Sequence, residues 1–242
     1  MMYLNERIDD LQRGGLRVIQ RADAFRFGTD AVLLADFAAP RRHDRVCDLG
    51  TGTGIIPLLL YARENTISAD AVEIQPDMAD MAARSMAMKG LNEKIRVLPG
   101  DLRSIRTLLP HARYDLVTCN PPYGKAGGTL LNPDASKRLA RHEESCAIED
   151  VACAAAWLLQ NGGRLCCVFP AARMIELSDA MRKYRMAPKR IRMVHSRVEK
   201  AAHLCLMEGM LDARPGLIIE PPLVIYDENN AYTPELRRIY GL

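Results

Sequence analysis

Two rhythms of apolar and polar positions alternate along this chain. Short apolar runs recur, and most are followed by a longer stretch in which apolar residues return every third or fourth position. The first pattern predicts buried strands and the second amphipathic helices. Val46-Cys47-Asp48-Leu49 opens the series and leads through a glycine turn into an apolar helix reaching Ala62. Ala71-Val72-Glu73-Ile74 is the second strand, followed by a helix from Pro76 to Met88, and Ile95-Arg96-Val97-Leu98 is the third. Tyr114-Asp115-Leu116-Val117-Thr118-Cys119 is the fourth. It must stop at Asn120-Pro121-Pro122-Tyr123, because two consecutive prolines cannot donate to a sheet ladder. A helix over Ile148–Leu159, ended by Gly162-Gly163, precedes a fifth strand at Leu165–Phe169. Arg173–Tyr184 reads as a helix, and Arg190–Val194 and Leu204–Leu211 as a sixth and a seventh strand.

This βα alternation predicts an α/β fold: a doubly wound, Rossmann-like, seven-stranded and mostly parallel sheet with helices on both faces. Residues 1–44 form an N-terminal segment packed on the main domain, 45–242, the two making one compact unit. Within that segment Leu16–Gln20 is a short strand, and a helix begins at Thr29, whose side chain would cap it. Pro221-Pro222-Leu223-Val224-Ile225-Tyr226 suggests a last short strand and Thr233–Leu236 a terminal helical turn. Met78, Met81, Ala82, Ser85 and Met86 share one helical face, which reads as core.

Composition narrows the function classes. The chain has 242 residues, 48% of them hydrophobic, enough for a sizeable core, and no apolar run is long enough to span a membrane. No signal peptide is evident at the N-terminus, so the expected location is cytoplasmic. Seven cysteines occur without a C-x-x-C pair and mostly inside apolar runs, which predicts buried, reduced thiols. Cys166 and Cys167 would face opposite sides of one strand. The five histidines lack metal-ligand spacing, so no metal is assigned. A net charge of +3 permits a nucleic-acid partner without requiring one.

In such sheets ligands lie outside the carboxyl ends of the strands. Gly50, Gly52, Gly54, Glu73, Asp101, Leu102 and Asn120 all fall at those ends. Glycines between a strand and a helix let the backbone approach a ligand. Glu73 can accept from both ribose hydroxyls and Asp101 from an adenine amine, which together describe a nucleoside pocket. A pyrophosphate-binding turn would read G-x-G-x-x-G, whereas here the third glycine comes one residue early, with Ile55 in its place. That spacing favours a nucleoside without pyrophosphate, such as S-adenosylmethionine, over a nicotinamide dinucleotide. At the fourth strand end, Asn120 and the carbonyl of Pro121 offer two acceptors to a planar amine, and Tyr123 offers a stacking face.

Asp48-Leu49-Gly50-Thr51-Gly52-Thr53-Gly54 together with Asn120-Pro121-Pro122-Tyr123 resembles the class I S-adenosylmethionine-dependent methyltransferases that act on planar amines. More narrowly, the chain resembles the bacterial tRNA (valine) adenine-N6 methyltransferase group. That likeness also takes in Phe25-Arg26-Phe27-Gly28-Thr29-Asp30 and Ala140-Arg141-His142-Glu143. The resemblance implies cofactor contacts at Asp48, Gly50, Gly52, Glu73 and Asp101. It implies target-base contacts at Asn120, Pro121 and Tyr123, with Pro122 and Phe27 on the substrate side. It also implies N6 methylation of an adenine in tRNA, beside the anticodon. Gly124-Lys125-Ala126-Gly127-Gly128 departs from relatives that carry a bulky residue there. Another planar amine (a guanine N2 in ribosomal RNA, a protein glutamine or a DNA adenine) would suit the same elbow. A non-catalytic RNA-binding protein is the alternative of a different class. Candidate phosphate contacts are Lys137, Arg138 and Arg141, with His142 beside them, and Arg190 and Arg192 from a basic run over 182–200. The oligomeric state is left open, a monomer being sufficient.

Overall fold

The computed structural model describes residues 3–21, 28–122 and 147–242. The chain starts with an antiparallel hairpin, β1 (Glu6–Asp10) and β2 (Arg17–Arg21), separate from the main sheet. Helix α1 (Thr29–Ala38) then leads to β3 (Arg45–Leu49), α2 (Ile55–Arg63), β4 (Ser68–Glu73), α3 (Pro76–Ala87) and β5 (Ile95–Pro99). A 3-10 turn (Leu102–Ser104) and α4 (Ile105–Leu108) precede β6 (Tyr114–Cys119). After it come α5 (Ile148–Leu158), β7 (Leu159–Pro170), α6 (Met174–Lys183), β8 (Met186–His195) and β9 (Ala202–Leu211). Two short strands, β10 (Ile218–Ile219) and β11 (Leu223–Val224), and α7 (Pro234–Tyr240) complete the chain.

The sheet order is β10-β8-β9-β7-β6-β3-β4-β5, with β11 also on β8. Strands β5, β4, β3, β6 and β7 run parallel, while β9 is antiparallel to both neighbours. The expected seven strands are therefore present, and nine make up the sheet among the described residues. Each of the two additions is two residues long: β11 falls in the last short strand expected at Pro221–Tyr226, whereas β10 is too short to carry an alternation of its own. Order reverses between β3 and β6, so connections leave that pair in opposite directions and open a crevice at their carboxyl ends.

One core packs α1, α2, the buried face of α3, α7 and the hairpin against one side of the sheet; the other packs α4, α5 and α6 against the opposite side. Cys166 lies in the first and Cys167 in the second, as strand geometry requires. Met81, Ala82, Ser85 and Met86 are buried on the inner face of α3. Among the described residues Cys47, Cys119, Cys166, Cys167 and Cys205 are buried and unbridged. The hairpin is tied to α3 by Arg84, which donates to Glu6 at 2.5 and 2.9 Å, and by the Ser85 hydroxyl, which accepts from the Ile19 N–H at 2.9 Å.

Two local expectations need correction. Thr29 does not cap α1: the cap is Gly28, without a side-chain bond, and the Thr29 hydroxyl meets the Tyr240 hydroxyl at 3.1 Å. Gly162-Gly163 does not end α5 either, because the helix stops at Leu158 and the next strand begins at once. The glycines instead sit in an irregularity where the register slips between Tyr114–Leu159 and Leu116–Arg164. Gly162 takes φ +77°, and a Cβ on Gly163 would strike the carbonyls of Gln160 and Tyr114.

Candidate active site

The crevice at the strand-order reversal holds a cavity of about 230 Å³. Leu49, Gly50 and Gly52 wall it from β3, and Glu73, Ile74 and Gln75 from β4. Gly100, Asp101, Leu102 and Arg103 come from the end of β5, and Asn120, Pro121 and Pro122 from the end of β6. The structure thus brings together on one wall the glycine turn, both carboxylates and the first three residues of the proline elbow. Phe27, Tyr123, Lys137, Arg138, Arg141 and His142 lie outside the described residues.

The turn after β3 is held by backbone bonds from Gly50 and Thr51 N–H to the Val72 carbonyl, at 2.9 and 3.0 Å. Gly50 and Gly52 have φ of +68° and +57°, and a Cβ on either would meet nothing within 4 Å. These two positions leave open space beside the backbone. Gly54 differs: a Cβ there would run into Met86 and Ala82 of α3. Glycine at this position is therefore required by the packing of α3. Glu73 is buried and accepts from the N–H of Gly52 and of Gln75, each at 2.8 Å. One carboxylate therefore ties the ends of β3 and β4 together and keeps lone pairs for a further donor.

Asp48 stands behind the wall, fully buried. It is paired in register with Thr118 across the β3–β6 reversal, and Thr118 Oγ1 donates to its Oδ1 at 2.6 Å. Its Oδ2 and the buried Oγ1 of Thr51 have no hydrogen-bond partner among the described residues. Burial pushes the Asp48 carboxyl up to about 7, helped by the Glu73 charge and opposed by the Thr118 hydrogen bond and by the Thr51 hydroxyl, which lies near without forming a bond. A buried acceptor and a buried hydroxyl without partners are costly unless a ligand supplies them.

Asp101 caps the 3-10 turn by accepting from the Arg103 N–H at 2.9 Å. The Arg103 guanidinium also folds onto the same carboxylate, at 2.5 Å from Oδ2. This pair holds the Asp101 carboxyl below its usual range. Arg103, Ile74, Gln75, Cys119 and Val151 belong to the wall although the sequence reading did not single them out. A signal for Ile74 exists: a large apolar residue directly after a strand-end carboxylate, 44% exposed here.

Arg190 and Arg192 do not join this site. Arg190 donates to Glu208, to Glu220 and to the Phe37 carbonyl, and Arg192 to Glu235 and the Pro221 carbonyl. Buried Arg164 adds bonds to Glu208, Asp44 and the Ala38 carbonyl. Burial raises the Glu208 carboxyl, but the two arginines outweigh it and hold the group below its usual value. Both guanidinium groups, expected to be phosphate contacts, are paired with acceptors of this chain. Among the described residues no His, Cys, Asp and Glu gather into a metal-ligand group, and no helix is long and apolar enough to cross a membrane.

A glycine turn after the first parallel strand, carboxylates after the second and third, and an Asn-Pro-Pro elbow after the fourth define a class I S-adenosylmethionine-dependent methyltransferase. The residues present suit that cofactor: two open glycine positions, two strand-end carboxylates and unpartnered polar atoms at Asp48 and Thr51. The chain matches the methyltransferase small domain family over residues 22–190. It is 34% identical over 216 residues to a tRNA1(Val) (adenine(37)-N6)-methyltransferase of Tolumonas auensis, covering 88% of this chain and 86% of that one. A protein of the same name from Porphyromonas gingivalis is 32% identical over 231 residues, covering 91% and 89%. The chain belongs to the methyltransferase small domain family and, within it, to the group of these tRNA1(Val) methyltransferases. In fold it matches the crystal structure of a predicted O-methyltransferase from Agrobacterium tumefaciens, with a TM-score of 0.73, 24% identity, and 88% and 96% of the two chains covered.

Proposed function

We propose that this protein methylates the exocyclic N6 amine of an adenine in tRNA, beside the anticodon. The observation that carries the reading is the single cavity shared by the nucleoside-binding wall and by Asn120 and Pro121. The relatives named above, which bear that activity in their names, support the substrate.

In this reading Glu73 accepts from the ribose hydroxyls of S-adenosylmethionine, and Asp101 from its adenine amine. Gly50 and Gly52 leave room for the cofactor chain, and Asp48 with Thr51 answers its amino-acid end. When bound, the cofactor supplies an electrophilic methyl group on a sulfonium. The work of the protein is on the nucleophile. An adenine amine is a poor one, because its lone pair is delocalised into the ring. The side-chain oxygen of Asn120 and the Pro121 carbonyl each accept one amine hydrogen, which favours a pyramidal nitrogen with its lone pair available. Fixed acceptors of this kind act by orientation and by electrostatics. No strong base is required, since the proton leaves once the nitrogen has become positive. Tyr123 stacks on the base, which must first be turned out of the RNA. Residues 1–44 serve the substrate side of the catalytic domain, 45–242, in a cytoplasmic protein.

Single-turnover methylation of tRNA at saturating cofactor tests this. Asn120→Ala removes one acceptor and is expected to slow the step about 100- to 1000-fold with little change in RNA affinity. Full activity in that variant would refute the role of the elbow, and label transferred only to ribosomal RNA, DNA or protein would refute the substrate.

A further inference from the structure

The four strands that carry the site at their carboxyl ends border a second cavity, of about 510 Å³, at their amino ends. Arg45 and Ser68 begin β3 and β4 and face each other in register, and Lys94 directly precedes β5. Arg113 directly precedes β6 and belongs to the same wall. Beside them Asp70 is already engaged: it accepts from Arg96 Nε at 2.7 Å on one oxygen and from the Tyr114 hydroxyl at 2.5 Å on the other.

What remains on this wall is mostly donor. Among the described residues the side chains of Arg45, Lys94, Arg113, Ser68 and Asn92 make no hydrogen bond or ion pair within the protein. Glu93 is the one carboxylate of the wall in the same condition. The carboxyl-end cavity has the opposite character, with Glu73, Asp101 and Asn120 as acceptors. The two turns that present the arginines are also strained. His43 and Ala112 have φ of +66° and +52°, uncommon without glycine, and stand two residues before Arg45 and one before Arg113. Strain of this kind persists where the surroundings enforce it, and it gathers at functional sites.

We propose that this groove is a second binding site, for phosphate groups, with the guanidinium forks of Arg45 and Arg113 and the ammonium of Lys94 as their partners. Phosphate reaches it from one of two sources, the backbone of RNA or a free polyphosphate such as a nucleotide. The fold favours RNA. Ser68 and Glu73 are the two ends of β4, about 17 Å apart at about 3.3 Å per residue. Strand β5 is the outermost on that side of the sheet, so an RNA strand can turn round this edge from the crevice to the groove. The choice of RNA rests on the substrate proposed above; the phosphate chemistry of the groove does not.

The test compares the wild-type protein with the double variant Arg45→Gln, Arg113→Gln. A control, Arg182→Gln with Arg237→Gln, removes two exposed charges elsewhere. Binding of tRNA is measured across a salt series, and binding of inorganic tripolyphosphate by calorimetry. RNA in the groove is expected to lower the salt slope of the first variant by about 1.4 to 1.8 and to weaken its binding at about 0.1 M salt by about tenfold or more. The control should match the wild type. Tripolyphosphate that binds the wild type and not the first variant, with tRNA binding unmoved, would assign the groove to free polyphosphates. No effect of the first variant on either ligand overturns the proposal, as does an equal effect of the control. A wild-type protein that binds no tRNA would remove the substrate reading alone, and the tripolyphosphate titration would still decide the groove.

Discussion

Replacing Asp48 by asparagine is expected to stabilise the protein, and to do so only above acidic pH. The carboxyl is fully buried, with one oxygen served by Thr118 and the other by nothing among the described residues, which lifts it from 3.8 to about 7. Between those values the unfolded chain has lost this proton and the native state keeps it. The native state then binds more protons, so this group's contribution to stability falls as pH rises through the window and levels off above it. At about 1.4 kcal/mol per pH unit the whole effect is about 4 kcal/mol, of which about 3 kcal/mol falls between pH 5 and pH 8. Asparagine still accepts from Thr118 through its amide oxygen and never ionises. Urea unfolding of both proteins at pH 5 and pH 8 gives the double difference, in which all other titrating groups cancel. The asparagine variant should gain about 3 kcal/mol on the wild type over that interval. An equal gap at the two pH values would show that Asp48 is not held protonated by its surroundings. The same exchange should weaken S-adenosylmethionine binding, so stability and ligand affinity are expected to move in opposite directions.

Two further outcomes are expected. Arg164→Ala leaves Glu208 and Asp44 buried without their shared cation and should cost about 3–5 kcal/mol in denaturant unfolding, whereas Arg164→Met should cost less if Asp44 is changed to asparagine with it. A small loss in Arg164→Ala alone would mean that water replaces the guanidinium. Gly54→Ala meets Met86 and a φ of +84° together, so a loss of about 1–3 kcal/mol in thermal or urea unfolding is expected. Unchanged stability there would show that α3 can move aside.

The parts of the fold that carry the site were legible because strand ends are marked in the sequence. Gly50, Glu73, Asp101 and Asn120 each follow an apolar run, and parallel strands put such positions on one rim. Other features had no local signal. The strand Glu6-Arg7-Ile8-Asp9-Asp10 is mostly polar and finds its partner only through the hairpin. Residues Leu159–Gly163 read as the end of a helix because glycines there suit a helix stop as well as a strand irregularity. The ion pairs of Arg190 and Arg192 had no local signal because their acceptors, Glu208, Glu220 and Glu235, lie far along the chain and meet them only in the folded protein. Arg103 escaped notice for the opposite reason. Its partner is two residues away, and a nearby acid and base in a sequence do not reveal that the pair lies over a cavity.

Helix α1 is held by two arginines at its last turn and by a hydroxyl contact to Tyr240 at its first. Arg164 and Arg190 donate to the carbonyls of Ala38 and Phe37, its final residues, at 3.0 and 2.9 Å. Its other end, at Thr29 and Asp30, points toward the rim where β9 begins, and there the Asp30 charge acts on His203. A helix of 10 residues is about 15 Å long, so a tilt of about 4° at the arginine end swings the far end by about 1 Å. Displacements of that size cost about 100-fold when they reach a reacting centre. Arg164 and Arg190 thus act as the clamp of a lever whose far end lies at the rim of the sheet.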